Sequence, residues 1–117
     1  MKRGDIVTVA TAGDYGKPRP AVVVQSSALI EADSVLVALI TSHARDLPLF
    51  RLTVEATTLN GLANKSHIMG EKLVAVPRAK IGQGIGRLAD ADLIALNQIL
   101  AFVIGLADPP FNATPTP

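Results

Sequence analysis

The sequence of 117 residues contains no cysteine, which excludes disulfide bridges, thiol catalysis and zinc sites built from cysteine. This composition suits a protein of the reducing cytoplasm, where we expect it to work. Aromatic residues make up only 3% of the chain, so the core must be aliphatic and a surface of stacked aromatic rings is disfavoured. The formal net charge is +1, so any nucleic-acid binding would have to come from local clusters of basic residues.

Long hydrophobic runs are also missing. The most apolar segment, Leu93 to Leu106, is interrupted by Asn97 and Gln98 and is shorter than the roughly 20 residues of a membrane helix. Asp5 ends any signal-peptide pattern at the N-terminus. We therefore expect a soluble protein without a membrane partner. Because 49% of so short a chain is hydrophobic, we also expect a self-complementary surface and a homodimer.

Short aliphatic and β-branched segments predict a mainly β fold. The segment 34–40 is almost wholly apolar, which predicts a strand buried on both faces. The segment 51–55 alternates polar and apolar residues, which predicts one face towards solvent. The predicted strands are residues 6–10, 20–25, 34–40, 51–55, 66–69 and 72–76, with Gly70 as a candidate for a bulge between the last two.

The hydrophobic period changes beyond Gly86 and predicts a C-terminal helix. Asp90 is its expected N-cap, with Asp92 in the first turn, and Gly105 its expected end. Residues 3–107 are predicted to form one domain, followed by a Pro-rich tail over residues 108–117. The expected apolar stripe comprises Leu93, Leu96, Leu100 and Val103, widened by Ile99 and Phe102.

Four segments, in order and spacing, resemble the MazF/PemK family of toxins from type II toxin–antitoxin systems. They are Arg3-Gly4-Asp5-Ile6-Val7, Lys17-Pro18-Arg19-Pro20-Ala21-Val22-Val23-Val24, Ile40-Thr41-Ser42 and Ile85-Gly86-Arg87-Leu88. Gly61-Leu62 and Ser66-His67-Ile68-Met69 also fit the family pattern. The resemblance spans roughly residues 3 to 106.

The resemblance implies an SH3-like barrel of the MazF and CcdB kind with a C-terminal helix, assembled as a homodimer. It implies a toxin with metal-independent endoribonuclease activity that cleaves single-stranded RNA through attack of the 2′-hydroxyl and needs no cofactor. It also implies RNA as substrate and a peptide segment of a cognate antitoxin as partner.

Arg19 and Thr41 occupy the positions of the family's catalytic residues. Arg19 suits the chemistry because its planar guanidinium can hold two phosphate oxygens, and Pro18 and Pro20 stiffen the backbone beside it. Thr41 and Ser42 end a strand, where their hydroxyls can reach a phosphate oxygen. Both assignments have purely structural alternatives, because an arginine can cap a sheet edge and Thr or Ser can cap a strand end.

The proton acceptor is left open among Glu71, His67 and His43. Glu71 matches the position of a family aspartate but is one methylene longer, so it is either the base or a structural partner of Arg19. Histidine ordinarily titrates near neutral pH, although a lone histidine is more often structural. No His or carboxylate pair shows metal-ligand spacing, so no metal site is predicted.

Further RNA contacts are expected from side chains near these motifs. Lys17, Arg45, Arg78 and Lys80 are candidate phosphate neighbours, and Tyr15 is a candidate surface for base stacking. Ser42 and His67 are further candidates for substrate binding.

Two other functions stay open at this point. One is a CcdB-like toxin that acts on gyrase, although the chain lacks the Trp-Gly-Ile ending associated with that activity. The other is a non-catalytic SH3-like binding module, because a fold does not determine a function.

Overall fold

The computed structural model describes residues 1–10, 17–43, 45 and 47–110. Within these residues, six strands and one α-helix form a mainly β fold with a C-terminal helix, as predicted. The elements are β1 (Asp5–Val9), β2 (Arg19–Val23), β3 (Ser34–Thr41), β4 (Arg51–Val54), β5 (Ser66–Pro77), a 3₁₀ turn (Arg78–Lys80), β6 (Ile81–Arg87) and α1 (Asp90–Val103).

The six strands form one antiparallel sheet in the order β4-β5-β3-β2-β1-β6. The last strand therefore lies beside the first, with Ile81 across from Val9. β6 was not predicted, because its glycines at 82, 84 and 86 have low strand propensity. Gly86 lies so close to the backbone of Asn60 that no side chain would fit there.

β5 is one long strand rather than the two short strands predicted. The expected irregularity at Gly70 is confirmed, since the β3–β5 register shifts there: Ala38 pairs with Leu73, whereas Ile40 pairs with Ile68. Residues 69 to 72 of β5 thus lie opposite Leu39 alone. The irregularity lets the first part of β5 continue beside the end of β3, where Thr41 pairs with His67.

Apolar side chains are buried on both faces of the sheet. One cluster packs Ile6 and Ile68 against Leu96 of α1, and a second contains Val9 and Val37. β3 contributes alternate residues to the two clusters and none of its residues is exposed, which confirms the prediction for segment 34–40. Each fully buried aliphatic side chain of this size stabilises the fold by about 1.5–3 kcal/mol.

The helix differs from the prediction at its start and on its apolar stripe. Its N-cap is Ala89, which has no side-chain hydroxyl or carboxylate, while Asp90 lies inside the first turn with Asp92. Both carboxylates still face the positive end of the helix dipole. Leu96 and Leu100 are buried, but Phe102 is 57% exposed and does not widen the buried stripe.

The helix ends where Gly105 adopts a φ of 73°. The Leu106 N–H donates to the Ala101 carbonyl at 2.9 Å and the Gly105 N–H to the Phe102 carbonyl at 3.1 Å, which is a Schellman motif. The predicted end at Gly105 is confirmed. Within the described ranges, no helix has both the length and the apolar character that crossing a membrane requires. Residues 111–117 of the predicted tail lie outside the described residues.

Candidate active site

A row of polar residues crosses four neighbouring strands at one end of the sheet. Thr41 of β3 pairs with His67 of β5, and His67 pairs in turn with Thr53 of β4. Ala21 pairs with Leu39, so extending this register by two residues brings Arg19 opposite Thr41. Paired residues of antiparallel strands project to the same face with Cα atoms about 4.5–5.5 Å apart. We call Arg19, Thr41, His67 and Thr53 the polar row.

Arg19 stands at the first position of β2, where it pairs with Val9 and is exposed. Pro20 follows it within the strand and favours the extended backbone that Arg19 adopts. The side chain thus begins from a sheet position, although the chain before it runs through residues outside the described ranges. An exposed guanidinium with a fixed strand anchor suits an anionic ligand.

Thr41 ends β3 and its hydroxyl already has one partner. The backbone N–H of His43 donates to Thr41 Oγ1 at 3.1 Å. Because the oxygen accepts this bond, the hydroxyl proton remains for donation to another acceptor. Ser42 and His43 follow directly and are exposed. The end of β3 therefore offers hydroxyl donors beside the position of Arg19.

His67 is a buried member of the polar row, with only 7% of its surface exposed. Its Nδ1 lies 2.9 Å from Thr53 Oγ1 across the β4–β5 pair. This contact orients the imidazole ring between Thr53 on one side and Thr41 on the other. Sequence reasoning missed Thr53, because nothing in the local pattern shows that β4 pairs with the start of β5.

Glu71 lies on β5 and forms an ion pair with Arg51 of β4. Arg51 Nε and Nη2 donate to Glu71 Oε2 at 2.8 and 2.6 Å. Arg51 is only 8% exposed, so the predicted solvent face of segment 51–55 is wrong at this residue. The partner found for Glu71 is therefore Arg51, whereas the sequence suggested Arg19.

The protonation of Glu71 follows from this pairing. Burial alone would raise the pKa of Glu71, but the hydrogen bonds from Arg51 and from its own backbone N–H, with the charges of Arg51 and Lys72, together lower it. The carboxylate is consequently ionised at neutral pH and held by a guanidinium. Its second oxygen, Oε1, is buried and has no hydrogen-bond partner among the described residues. A carboxylate in this state is a weak proton acceptor.

The remaining predicted substrate contacts are spread over the molecule. Lys17 and Arg45 are exposed; along the chain, Lys17 precedes Arg19 by two residues and Arg45 follows Thr41 by four. Lys80 is exposed beside the end of β1, where its carbonyl accepts from the Ala10 N–H. Tyr15 lies outside the described residues. Within the described ranges, no three His, Asp or Glu side chains are arranged to hold a metal ion.

Arg78 is not brought to the polar row. It follows Pro77, which pairs with Ser34 at the end of β3 opposite to Thr41. Its Nε donates to the Ala32 carbonyl at 2.6 Å and its Nη2 to the Leu29 carbonyl at 3.0 Å. The guanidinium thus stabilises the loop before β3. This position argues against a substrate contact for Arg78.

Comparison with protein families gives a match over most of the chain. Residues 2–104 match the family described as PemK-like, MazF-like toxin of type II toxin–antitoxin system. A Mycolicibacterium smegmatis protein named "Probable endoribonuclease MazF" is 38% identical over 108 residues, which cover 92% of this chain and 99% of that protein.

Solved structures show the same fold at lower sequence identity. An endoribonuclease in complex with its cognate antitoxin from a mycobacterial species superposes with a TM-score of 0.78 at 18% identity, covering 93% of this chain and 99% of that one. Mycobacterium tuberculosis toxin MazF-mt6 superposes with a TM-score of 0.75 at 24% identity, covering 86% of this chain and 96% of that one. The MazF-like fold expected from the sequence motifs is confirmed.

Proposed function

Because the chain belongs to the PemK-like, MazF-like family of toxins of type II toxin–antitoxin systems, we propose that it is an endoribonuclease that cleaves single-stranded RNA without a metal ion. The relative from Mycolicibacterium smegmatis, named as an endoribonuclease, supports the activity. The observation that supports the proposal is the register that brings Arg19 opposite Thr41, because the resemblance assigns the family's catalytic arginine, in the Arg-Pro pair, to Arg19 and its catalytic threonine, in the Thr-Ser pair, to Thr41. A cytoplasmic location stays a prediction.

The proposed reaction uses the 2′-hydroxyl of the RNA as nucleophile. Its oxygen attacks the adjacent phosphorus, the bond from phosphorus to the 5′-oxygen breaks, and a 2′,3′-cyclic phosphate and a 5′-hydroxyl result. The pentacoordinate transition state gathers negative charge on its equatorial oxygens. Arg19 is placed to hold these oxygens through its guanidinium, and Thr41 donates its hydroxyl proton to one of them. Lys17 and Ser42 flank the two residues and contact neighbouring phosphates.

His67 is a better candidate than Glu71 for the proton acceptor. It lies beside Thr41 in the polar row, whereas Glu71 is ion-paired with Arg51 and has a lowered pKa. A base must be within hydrogen-bond reach of the proton it removes, and a carboxylate whose pKa is lowered by a paired guanidinium is a weaker base. We therefore assign the 2′-hydroxyl proton to His67 and a structural role to Glu71.

Incubating the purified protein with a long single-stranded RNA in EDTA tests the proposal. Fragments with cyclic phosphate and 5′-hydroxyl ends are expected, and mapping those ends gives the sequence that is cut. Cleavage that requires added Mg²⁺ would contradict the metal-independent route. Binding of intact RNA without cutting would instead indicate a binding module, and inhibition of gyrase without RNA cleavage would indicate the CcdB-like alternative.

Thr41→Val is expected to lower the cleavage rate by about 10- to 100-fold, since valine keeps the branched shape and removes one hydrogen bond to a charged group. The circular dichroism spectrum should be unchanged, because Thr41 ends its strand and valine favours strands. Thr41→Ser retains the hydroxyl and should recover most of the rate. Equal rates for Thr41→Val and the unaltered protein would remove Thr41 from the mechanism.

A homodimer is proposed from the apolar surface around the end of α1. Ile104 and Leu106 are 56% and 73% exposed and line one groove together with Leu36, Leu73 and Leu100. An exposed aliphatic groove of this kind is suited to a second copy of the chain. The solved antitoxin complexes among its structural relatives support a further proposal, that a cognate antitoxin segment binds this protein.

Sedimentation at micromolar concentration should show a dimer, and Leu106→Asp should shift it towards monomer because it places a charge in the groove. Asp108→Ala, two residues further on and also exposed, is the matched control and should remain dimeric. A monomer for the unaltered protein, or an intact dimer for Leu106→Asp, would contradict this choice of surface.

A further inference from the structure

Thr53 is exposed on the edge strand β4, and its side chain contacts the buried imidazole of His67. The contact joins Thr53 Oγ1 to His67 Nδ1 at 2.9 Å. The other ring nitrogen, Nε2, makes no hydrogen bond to a residue within the described ranges. The ring therefore has one nitrogen held by the protein and one nitrogen left for another partner.

Which nitrogen carries the proton decides what His67 can do. In a neutral imidazole one nitrogen is a donor and the other an acceptor, and the hydrogen bond made by one fixes the state of the other. We infer that Thr53 is a positioning residue: its hydroxyl accepts a hydrogen bond from Nδ1–H of His67, which leaves Nε2 unprotonated as the acceptor for the 2′-hydroxyl proton of RNA. This inference rests on the proposed function.

The exposure of Thr53 favours this direction of the hydrogen bond. A threonine hydroxyl on an edge strand can donate its own proton to solvent while its oxygen accepts from the buried ring. Thr41, on the other side of His67, accepts from the His43 N–H, and within the described ranges the hydrogen bond of the His67 ring is the one to Thr53. Thr53 is thus well placed to accept the hydrogen bond from Nδ1–H, on the side of the ring away from Thr41.

The charged groups on this face leave His67 suited to the task. Arg51 and Glu71, from β4 and β5, neutralise one another in their ion pair. Arg19 lies two strands away on β2, at the proposed position of the RNA phosphate. In the reaction, Nε2 accepts the 2′-hydroxyl proton as the bond between O2′ and phosphorus forms. The bond from phosphorus to O5′ breaks, O5′ takes a proton from water, and the imidazolium returns its proton to the resulting hydroxide.

The test compares Thr53→Val with Thr53→Ser. Valine removes the hydroxyl but suits an edge strand, and serine restores it. ¹⁵N NMR of histidine-labelled protein at about pH 8.5, above the ordinary histidine range, reports which ring nitrogen is protonated. His43 is the only other histidine in the sequence and serves as an internal reference. Thr58→Val, an exposed position in the turn after β4, is the control.

We expect protonated Nδ1 in the unaltered protein and in Thr53→Ser, and loss of this preference in Thr53→Val. The kcat of RNA cleavage should fall about 3- to 10-fold in Thr53→Val with KM unchanged, which is the effect of one neutral hydrogen bond. Thr53→Ser and Thr58→Val should cut at the normal rate.

A protonated Nε2 in the unaltered protein would overturn the inference, as would a Thr53→Val variant with the same kcat as the unaltered protein. The tautomer measurement requires no RNA, so it stands apart from the activity. If the unaltered protein failed to cut RNA at all, the proposed function would fail first. If the unaltered protein cuts and Thr53→Val cuts equally well, only the role of Thr53 is lost.

Discussion

Arg19→Ala is expected to lower the rate of RNA cleavage by about 10²–10³-fold, which is the typical cost of removing one preorganised donor from a site of developing negative charge. The change should leave the fold intact, because Arg19 is exposed at the first position of β2 and belongs to neither apolar cluster. Single-turnover cleavage of a short RNA gives the rate, and urea unfolding checks the stability. The loss should appear in kcat as well as in kcat/KM, since the guanidinium is required most in the transition state.

Two further variants separate charge from geometry. Arg19→Lys keeps the charge but loses the planar fork, so only part of the rate should return. Arg87→Ala removes an exposed arginine that lies opposite Asp5 at the other end of β1, and it should cut RNA normally. If Arg19→Ala and Arg87→Ala both cleave at the unaltered rate, the polar row is not the active site.

Most of the fold could be predicted because its signals are local. The apolar run at 34–40 predicted a strand buried on both faces, and Gly105 predicted the helix end that its positive φ now explains. β6 escaped prediction since its alternating glycines have low strand propensity, and it is stabilised as a strand by pairing with β1. That pairing joins residues more than 70 positions apart, which no local pattern reveals.

The candidate site was only partly accessible from sequence. The family motifs indicated Arg19 and Thr41, but their positions in neighbouring strands depend on the β2–β3 register. The ion pair of Arg51 and Glu71 depends on both the β4–β5 register and the irregularity at residues 69 to 72. Since alternation along β4 predicts an exposed Arg51, the buried pair could not be foreseen from the chain alone.

The contacts of Glu71 lead to an expectation opposite to the one that its sequence position suggests. Glu71→Gln should lower the free energy of unfolding at pH 7 by about 2–3 kcal/mol, because it leaves the buried Arg51 without its counter-charge while an amide oxygen still accepts one hydrogen bond. Cleavage by the folded variant should stay within a few-fold of normal. Urea unfolding measures the stability, and a cleavage assay in buffer without urea measures the activity of the folded variant.

The same pair predicts a pH dependence of stability. The folded pKa of Glu71 is lowered from its ordinary value of 4.5, so its contribution is fully present above that pH and is lost as pH falls through the lower folded pKa. The unaltered protein should therefore lose stability on acidification below about pH 4.5 more steeply than Glu71→Gln.

Glu55→Gln is the matched control for the ion pair. Its carboxylate lies 3.6 Å from Lys65 and both side chains are largely exposed, at 73% and 61%. Such surface pairs contribute about 0–1 kcal/mol, so this variant should unfold almost as the unaltered protein does, both at pH 7 and on acidification. If Glu71→Gln loses more stability than Glu55→Gln, the difference therefore comes from the burial of Arg51. It does not come merely from the loss of a carboxylate.

The two roles of Glu71 predict different results in the pH–rate profile. As a structural partner of Arg51, Glu71 should leave the acidic limb of the profile in place when it is replaced by glutamine, whereas His67→Ala should remove that limb. As the general base, Glu71 would be needed for proton removal, and glutamine would cut the rate by roughly 10² with normal stability and normal RNA affinity. A stable, inactive Glu71→Gln would thus return the role of base to the carboxylate. A destabilised but active variant would leave His67, between Thr41 and Thr53, as the residue that takes the proton.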